Sequence, residues 1–172
     1  MRIPILLSLS IALVIAGCST SSKSTDGQSR SGRQERLAAD LDKIAALAEG
    51  GNFSYTLRSA NPTGGRSIQI TSEYTLKAVQ GEYEAYLPYF GRAQQASYGG
   101  DGGIEFKGKP ENLQISRNDK KNTLSLAFAI KGENDQYTVN LEIGASGYGT
   151  LLVSPQRRQS ISYYGLFTEL KL

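Results

Sequence analysis

From Phe53 onward, apolar and polar residues alternate with a period of two, and this alternation limits the possible fold more than any other feature of the chain. Residues 123–131 read Thr-Leu-Ser-Leu-Ala-Phe-Ala-Ile-Lys, and residues 136–143 repeat the pattern. Successive side chains of a β-strand point to opposite faces, so such stretches predict strands with one buried and one exposed face. The pattern predicts a mainly β domain, an antiparallel β barrel or sandwich of about 8-9 strands with one N-terminal helix.

The links between the predicted strands are mostly short and rich in turn residues, as in Gly-Ala-Ser-Gly at 144–147. Such residues favour tight turns, which suit antiparallel neighbours. The strands are expected at residues 53–58, 66–79, 82–89, 103–108, 112–117, 123–131, 136–143, 148–154 and 160–167.

A simple up-and-down meander of these strands would place successive links alternately at two ends of the domain. The links at 61–65 and 90–102 would then share one end, and the link at 155–159 would lie at the other. On this hypothesis one end carries Arg66, Arg92 and Asp101, and the far end carries Arg157 and Arg158.

Residues 33–49 carry the pattern of an amphipathic helix. Leu37, Leu41, Ile44 and Leu47 recur at spacings of three and four, which places them on one helical face. Two glycines follow and supply a stop. We therefore expect residues 33–51 to form a helix that packs on a β domain covering residues 52–172.

The N-terminus has the pattern of an exported protein. A basic start precedes a short apolar run and Ala-Gly-Cys at 16–18, which predicts a signal peptide over residues 1–17. Ile-Ala-Gly-Cys at 15–18 resembles the lipobox of bacterial lipoproteins, in which the cysteine, here Cys18, is lipidated. The alternative is an ordinary signal peptide with an incidental cysteine. Residues 18–32, rich in Ser, Thr and Gly, are expected to form a flexible tether.

A lipidated Cys18 would make the membrane the first partner of the protein. Ser19 after the cysteine is compatible with transfer to the outer membrane, and the tether lacks an acidic run that would favour surface export. We therefore expect an outer membrane lipoprotein of the bacterial cell envelope that faces the periplasm.

Composition excludes several classes of chemistry. The chain has no histidine, and its one cysteine is Cys18. Ser-His-Asp and Cys-His nucleophiles are therefore impossible, as are imidazole or thiolate metal sites. Signal peptide removal would take Arg2 from a chain with 19 basic and 16 acidic residues, and the small excess left does not favour nucleic acid. We expect no cofactor and no metal site.

The long link at 90–102 is the strongest candidate for a site. Its glycines allow unusual backbone conformations, and links of about a dozen residues often bind ligands or pack on themselves. In the functional interpretation, two arginines preceded by glycine and three tyrosines bind an anionic or sugar-like ligand; in the structural interpretation, which we favour, Asp101 pairs with Arg92 and holds the link onto the barrel mouth. The binding candidates are Arg66, Tyr86, Tyr89, Arg92, Tyr98 and Asp101.

Three phrases in this order carry a family resemblance. They are Asn-Pro-Thr-Gly-Gly-Arg-Ser at 61–67, Tyr-Leu-Pro-Tyr-Phe-Gly-Arg-Ala at 86–93 with Tyr-Gly-Gly-Asp-Gly-Gly at 98–103, and Arg-Gln-Ser-Ile-Ser-Tyr-Tyr-Gly at 158–165. The chain resembles the lipoproteins of Bacteroides-group bacteria known as domain-of-unknown-function family 4251 (DUF4251). The resemblance implies an envelope lipoprotein with a mostly β domain, and it implies no established activity, cofactor or catalytic residue.

Three functions follow from these observations. The leading hypothesis is a non-enzymatic lipoprotein that binds an unknown small molecule or envelope protein. The alternative is a purely structural envelope component. The third is a carboxylate hydrolase acting on glycans, for which Asp101 and Glu105 are the acids nearest to the long link.

Tyr163 and Tyr164 are neighbours in the predicted strand at 160–167. Because neighbouring strand residues point to opposite faces, we expect one of these side chains to be buried and the other exposed.

Overall fold

A computed structural model describes residues 26–90, 102–133 and 135–170. The predicted signal peptide at 1–17 and the predicted lipidation site Cys18 lie outside the described residues. The elements are α1 Asp26–Glu49, β1 Phe53–Pro62, β2 Ile68–Gln69, β3 Thr75–Val79, β4 Glu82–Leu87, β5 Ile104–Gly108, β6 Glu111–Asn118, β7 Thr123–Lys131, β8 Gln136–Gly144, β9 Tyr148–Pro155 and β10 Ile161–Glu169. Within the described ranges, no helix combines the length and apolar character needed to cross a membrane.

All the strands form one antiparallel sheet in the order β5-β4-β3-β1-β10-β9-β8-β7-β6, with β2 added beside β1. The predicted fold class is confirmed. The bounds of β7 coincide with the predicted ones, and β8 and β9 each end one residue later than predicted. Alternation was strongest in these three strands, because each has one face in the core and one in solvent.

The predicted long strand at 66–79 is two strands, β2 and β3. A bulge at Arg58 shifts the register of β1 between Leu57 and Ser59. The Arg58 carbonyl accepts a hydrogen bond from the Ile70 amide at 2.9 Å, and the Leu57 amide donates to the Tyr74 carbonyl at 2.9 Å. Residues 71–73 therefore leave the sheet, since the extra residue in β1 prevents a single continuous ladder.

The expected meander is wrong at the step from β5 to β6. These strands do not form a hairpin but stand at opposite ends of the strand order, where β5 pairs with β4 and β6 pairs with β7. Gly108, with φ of 148°, and Pro110 bend the chain without reversing it. A bridge between Phe106 and Gly132 brings β5 back to the end of β7 and rolls the sheet into a barrel-like form.

This bend changes which links share an end of the domain. Strands β5 and β6 run in the same direction, so every later link moves to the end opposite the expected one. The links at 132–135 and 156–160 therefore join those at 63–67 and 88–103, at what we call the clasp end. The predicted strands at 103–108 and 112–117 implied a turn at 109–111, whereas these residues lie in a bend between two strands that run in the same direction.

The core fills the inside of the rolled sheet. Tyr163 is 0% exposed and its neighbour Tyr164 is 44% exposed, as expected for adjacent strand residues. The buried aromatic residues are Phe53, Tyr55, Tyr83, Phe106, Phe128, Tyr137, Tyr163 and Phe167. Burying each such side chain contributes about 1.5–3 kcal/mol of hydrophobic free energy.

Helix α1 packs on the sheet. Leu41, Ile44 and Ala48 are buried within the same core cluster, and α1 contacts β6, β7 and β10. The helix begins at Asp26 rather than at residue 33, so its first turns fall in the segment assigned to the tether.

Candidate functional site

Arg158, in the link between β9 and β10, is the centre of the clasp end. Its side chain is 15% exposed. One terminal nitrogen donates to the Gly102 carbonyl at 3.0 Å, and the other donates to the Gly103 carbonyl at 3.1 Å and the Tyr137 hydroxyl at 3.2 Å. The guanidinium also lies 4.6 Å from the ring centroid of Tyr89. Arg158 therefore contacts the chain on both sides of the 91–101 segment.

Asp135 supplies the negative charge beside Arg158. Its side chain is 4% exposed, and its Oδ2 lies 4.0 Å from the Arg158 Nε. Oδ1 accepts hydrogen bonds from the Gln136 amide at 2.9 Å and the Gln156 amide at 3.1 Å. The Arg157 amide donates to Oδ2 at 3.4 Å. The carboxylate therefore ties two links together at the clasp end.

Three tyrosines complete this arrangement. The Tyr89 hydroxyl donates to the Gln159 carbonyl at 3.0 Å, and the Tyr163 hydroxyl donates to the Pro88 carbonyl at 2.7 Å. Burial raises the pKa of Tyr89, Tyr137 and Tyr163 above the ordinary value, and the charge of Arg158 opposes this shift. The hydroxyls stay protonated at neutral pH and remain donors. We call Arg158, Asp135, Tyr89, Tyr137 and Tyr163 the Arg158 clasp.

The Arg158 clasp is suited to holding the chain rather than to binding a ligand. Its polar groups are engaged with the protein itself, and carbonyls at Pro88, Gly102 and Gly103 accept from it. A charged group so nearly buried needs such partners, because an unpaired one would cost several kcal/mol. The structure thus shows how the flanks of the long link are held.

Sequence reasoning expected Arg158 to lie far from the long link, and this expectation is wrong. The bend between β5 and β6 brings the 156–160 link to the clasp end. Arg158 nevertheless opens the third phrase of the family resemblance, which was the available signal. Arg92, Tyr98 and Asp101 lie outside the described residues, so the Arg92–Asp101 pair stays a prediction.

The remaining candidates are placed at two different locations. Tyr89 belongs to the clasp. Arg66 is exposed in the link after β1, where Thr63 Oγ1 donates to the Ser160 carbonyl at 2.7 Å and holds that link at the clasp end. Tyr86 is 47% exposed on the outer face of β4. Alternation along β4 therefore separates Tyr86 from the clasp.

Tyr86 lines an outer groove of about 380 Å³, which we call the Tyr86 groove. Strands β4 and β5 form one wall, and the end of β7 forms the other. The lining residues are Glu84, Ala85, Tyr86, Glu105, Phe106, Lys107, Lys131, Gly132 and Glu133. A smaller depression of about 160 Å³ lies on the other side of Tyr86, beside Tyr74.

Aromatic and charged side chains lie close together at the Tyr86 groove. The Tyr86 ring lies 6.0 Å from that of Tyr74, centroid to centroid, and Tyr86 stands opposite Glu105 on β5. Two residues further along each strand, on the same face, Lys107 Nζ lies 2.9 Å from a carboxylate oxygen of Glu84. This contact raises the pKa of Lys107. The groove thus offers a ring face, carboxylate acceptors and ammonium donors.

This combination can bind a polar ligand with an apolar face. A ring such as that of Tyr86 can pack against carbon-bound hydrogens, while carboxylates accept hydrogen bonds from hydroxyls. The described residues contain no group of three or more acidic, Cys or His side chains that could hold a metal ion.

The fold and the site define a class of protein: a rolled antiparallel sheet with an N-terminal helix packed on it and an arginine-centred clasp at one end. The family model of a domain of unknown function (DUF4251) matches residues 35–167, and the chain belongs to this family. The resemblance carried by the three sequence phrases is confirmed.

A solved structure supports the fold. The crystal structure of a DUF4251 family protein from Bacteroides eggerthii DSM 20697 is similar, with a TM-score of 0.61 and 16% sequence identity. The similarity covers 79% of this chain and 91% of that chain. No curated protein matches the chain.

Proposed function

We propose that the protein is a lipid-anchored, non-enzymatic protein of the bacterial outer membrane, facing the periplasm, whose β domain binds a ligand or an envelope partner in the Tyr86 groove. The observation that carries this proposal is the large exposed ring of Tyr86 in a concave surface lined by both carboxylates and ammonium groups. Concave surfaces with a ring and a few convergent polar groups are the usual form of small-ligand sites.

The groups of the Arg158 clasp are already hydrogen-bonded within the protein, which favours the Tyr86 groove as the binding site. Arg158 and Tyr89 are engaged with main-chain carbonyls, so a ligand would have to displace those hydrogen bonds to reach them. Glu105 and Tyr86 are exposed and need no such exchange. Binding in the groove therefore has the smaller desolvation cost.

A sugar-like ligand fits the groove better than a simple anion does. Lys107 and Glu84 are paired with each other, so the charges left in the lining are Glu105, Glu133 and Lys131, and this excess of carboxylates would repel an anion. Uncharged hydroxyls can both accept from lysine and donate to carboxylates. The groove is also open at the surface, which suits a segment of a longer glycan.

Cys18 and the position of α1 support the proposed anchor. The helix begins at Asp26, so residues 19–25 alone separate it from Cys18. Seven residues span at most about 25 Å even when fully extended, which keeps the domain close to the membrane surface. A Cys18→Ser variant is expected to lose incorporation of a labelled fatty acid and to leave the membrane fraction; unchanged labelling would overturn the anchor.

The binding proposal is tested on the full lipoprotein, extracted from its own envelope in mild detergent and examined by native mass spectrometry. We expect a bound glycan fragment on the wild type and on Tyr164→Ala, and at least a tenfold lower bound fraction on Tyr86→Ala. Tyr164 is the matched control because it is a similarly exposed tyrosine, also beside a second tyrosine. Equal capture by both variants, or no co-purifying ligand, would overturn the groove as the site.

A purely structural envelope role is the second candidate, favoured by the fully engaged Arg158 clasp. It predicts that a strain lacking the protein has a weaker envelope, and that expression of the Tyr86→Ala variant in this strain restores the envelope fully.

The glycan hydrolase hypothesis retains Glu105, which lies in the groove, and Asp101 as its candidate acids. It predicts that Glu105→Gln abolishes release of reducing ends from envelope glycans without changing the captured ligand.

A further inference from the structure

The Tyr86 groove is continuous with a depression on each side. The depression beside Tyr74 shares residues 84–86 with the groove. A third depression, of about 510 Å³, shares residues 131–133 with the opposite wall of the groove and extends to Gln156. We call this continuous surface, from Tyr74 through Tyr86 to Gln156, the outer track.

The outer track crosses the strands near the clasp end rather than following one of them. It passes from β3 over β4 and β5 to the adjoining ends of β7, β8 and β9. The bridge between Phe106 and Gly132 joins β5 to the end of β7 and makes the surface continuous there. Neighbouring strands lie about 4.8 Å apart, so five such steps give a track of about 24 Å. A single sugar ring would fill only the section at Tyr86.

One arm of the outer track offers a second aromatic ring. The half-buried ring of Tyr74 is tilted by 30° from that of Tyr86, and their centroids are 6.0 Å apart. Two rings side by side can pack against the carbon-bound hydrogens of successive sugars in one chain.

The other arm offers side-chain amides. Gln136 and Gln156 are exposed, and the Gln156 Nε2 donates to the Gln136 Oε1 at 3.1 Å. An amide side chain carries two N–H donors and an oxygen with two lone pairs, so this pair keeps donors and acceptors for a ligand. Such groups are complementary to sugar hydroxyls and to the acetamido groups of N-acetylated sugars.

Charges of both signs lie along the outer track. Glu84 is paired with Lys107, and Asp135 lies beside Arg158. The other charged residues of the described lining are Glu73, Glu105, Glu111, Glu133, Lys77, Lys131 and Arg157. A polyanion would meet the carboxylates and a polycation would meet the cationic groups, so the lining favours an uncharged chain.

We propose that the outer track binds an extended, uncharged chain of N-acetylated sugars, with Tyr86 at its centre, Tyr74 on one side and Gln156 on the other. This inference rests on the proposed function, because it extends the same site. Sections of one chain that bind neighbouring parts of a surface reinforce one another, so affinity should increase with chain length until the chain spans the track.

The test measures binding of N-acetylglucosamine chains of two, four and six units to the full lipoprotein in mild detergent by titration calorimetry. We expect the six-unit chain to bind about tenfold more tightly than the two-unit chain. Tyr74→Ala and Gln156→Ala should remove most of this gain and leave the affinity for the two-unit chain unchanged. Gln114→Ala is the matched control, because Gln114 is an exposed glutamine on β6 outside the lining of the track, and it should change neither affinity.

The possible failures separate this inference from the proposed function. Equal affinity for all three lengths, lost in Tyr86→Ala, would overturn the outer track and keep the groove as a site for one or two sugars. Binding that Tyr86→Ala leaves unchanged would overturn both. Absence of binding at every length would overturn the inference, while the ligand captured from the envelope still tests the proposed function. Urea unfolding verifies that each variant folds, and Lys77→Ala, an exposed residue of the same depression, replaces Tyr74→Ala if that variant unfolds.

Discussion

The tyrosines on the inner and outer faces of the sheet differ in what holds them. Tyr163 and Tyr164 are adjacent, yet Tyr163 donates to the Pro88 carbonyl inside the clasp while Tyr164 stacks on Tyr148 in solvent, with centroids 5.6 Å apart. The same side chain is therefore a structural donor on one face and an available ring on the other. Strand alternation alone decides which role each tyrosine takes.

The inner tyrosines also differ among themselves. The Tyr55 hydroxyl donates to the Gly149 carbonyl at 2.7 Å, whereas the buried Tyr83 hydroxyl has no hydrogen-bond partner among the described residues. Both lie in the core, so burial does not guarantee a partner. The inner face thus carries hydrogen-bonded hydroxyls together with one hydroxyl that has no described partner, and the outer face carries solvent-exposed rings.

Removal of the charge at the centre of the clasp should have the largest effect. Arg158→Met leaves the nearly buried Asp135 without its cationic neighbour and frees the carbonyls of Gly102 and Gly103. We expect the free energy of unfolding to fall by about 3–5 kcal/mol, measured by urea unfolding of the wild type and the variant. Arg66→Met, an exposed arginine at the same end, should change it by less than about 0.5 kcal/mol. Similar losses of unfolding free energy for both variants would show that the contacts of Arg158 do not stabilise the folded protein.

Alkaline pH should destabilise the protein through the inner face. Burial raises the pKa of Tyr55, Tyr83 and Tyr163 in the folded state. The unfolded chain ionises near pH 10 and so binds fewer protons than the folded chain above that pH. The stabilisation is complete below about pH 10 and is lost as pH rises, at about 1.4 kcal/mol per pH unit for each such group.

Urea unfolding at pH 8, 9.5 and 11 measures this dependence. Little change is expected between the first two values and a marked fall at the third. Tyr55→Phe should reduce the slope above pH 10 by one group. An unchanged slope in that variant would contradict the assignment of the alkaline effect to the inner tyrosines.

Two conservative changes distinguish the bonded donor from the orphan. Tyr163→Phe leaves the Pro88 carbonyl without its donor and should cost about 1–1.5 kcal/mol in urea unfolding. Tyr83→Phe removes a buried group without a described partner and should be neutral or stabilising by up to about 1 kcal/mol. The reverse order would mean that Tyr83 is the better-satisfied hydroxyl.

The outer pair should give the smallest effect. A double-mutant cycle with Tyr148→Ala and Tyr164→Ala is expected to yield a coupling energy of about 0.5–1 kcal/mol, because the rings are stacked but solvated. Thermal or urea unfolding of the four proteins measures it. A coupling near 3 kcal/mol would show that the outer face is packed as firmly as the clasp, and the contrast between faces would fail.

Much of the sheet was predictable because its information is local. Residues 123–131 alternate so regularly that their period alone located β7. The split between β2 and β3 was not predictable, since it depends on a bulge at Arg58 in the strand with which they pair. The path from β5 to β6 was missed for a similar reason: Gly-Lys-Pro at 108–110 is compatible with both a turn and a bend.

For the candidate site, the sequence indicated the residue types but not their grouping. Tyr86 and Tyr89 were assigned to one ligand, yet Tyr86 lies on the outer face and Tyr89 in the clasp. Arg158 was separated from the long link, although its donors reach Gly102 and Gly103. The end of the domain at which a link lies depends on the direction of every strand before it. One unrecognised bend therefore moves every later link to the opposite end.

The sequence by itself determined the fold class, the buried face of most strands, the packing face of the helix and the family, because periodicity and short phrases are properties of neighbouring residues. The tertiary structure alone decided which links meet, that Arg158 is the centre of the clasp, and that three depressions join into the outer track. These depend on which strands pair across long stretches of chain. Pairing is set by the energy of the whole sheet, which no single segment encodes.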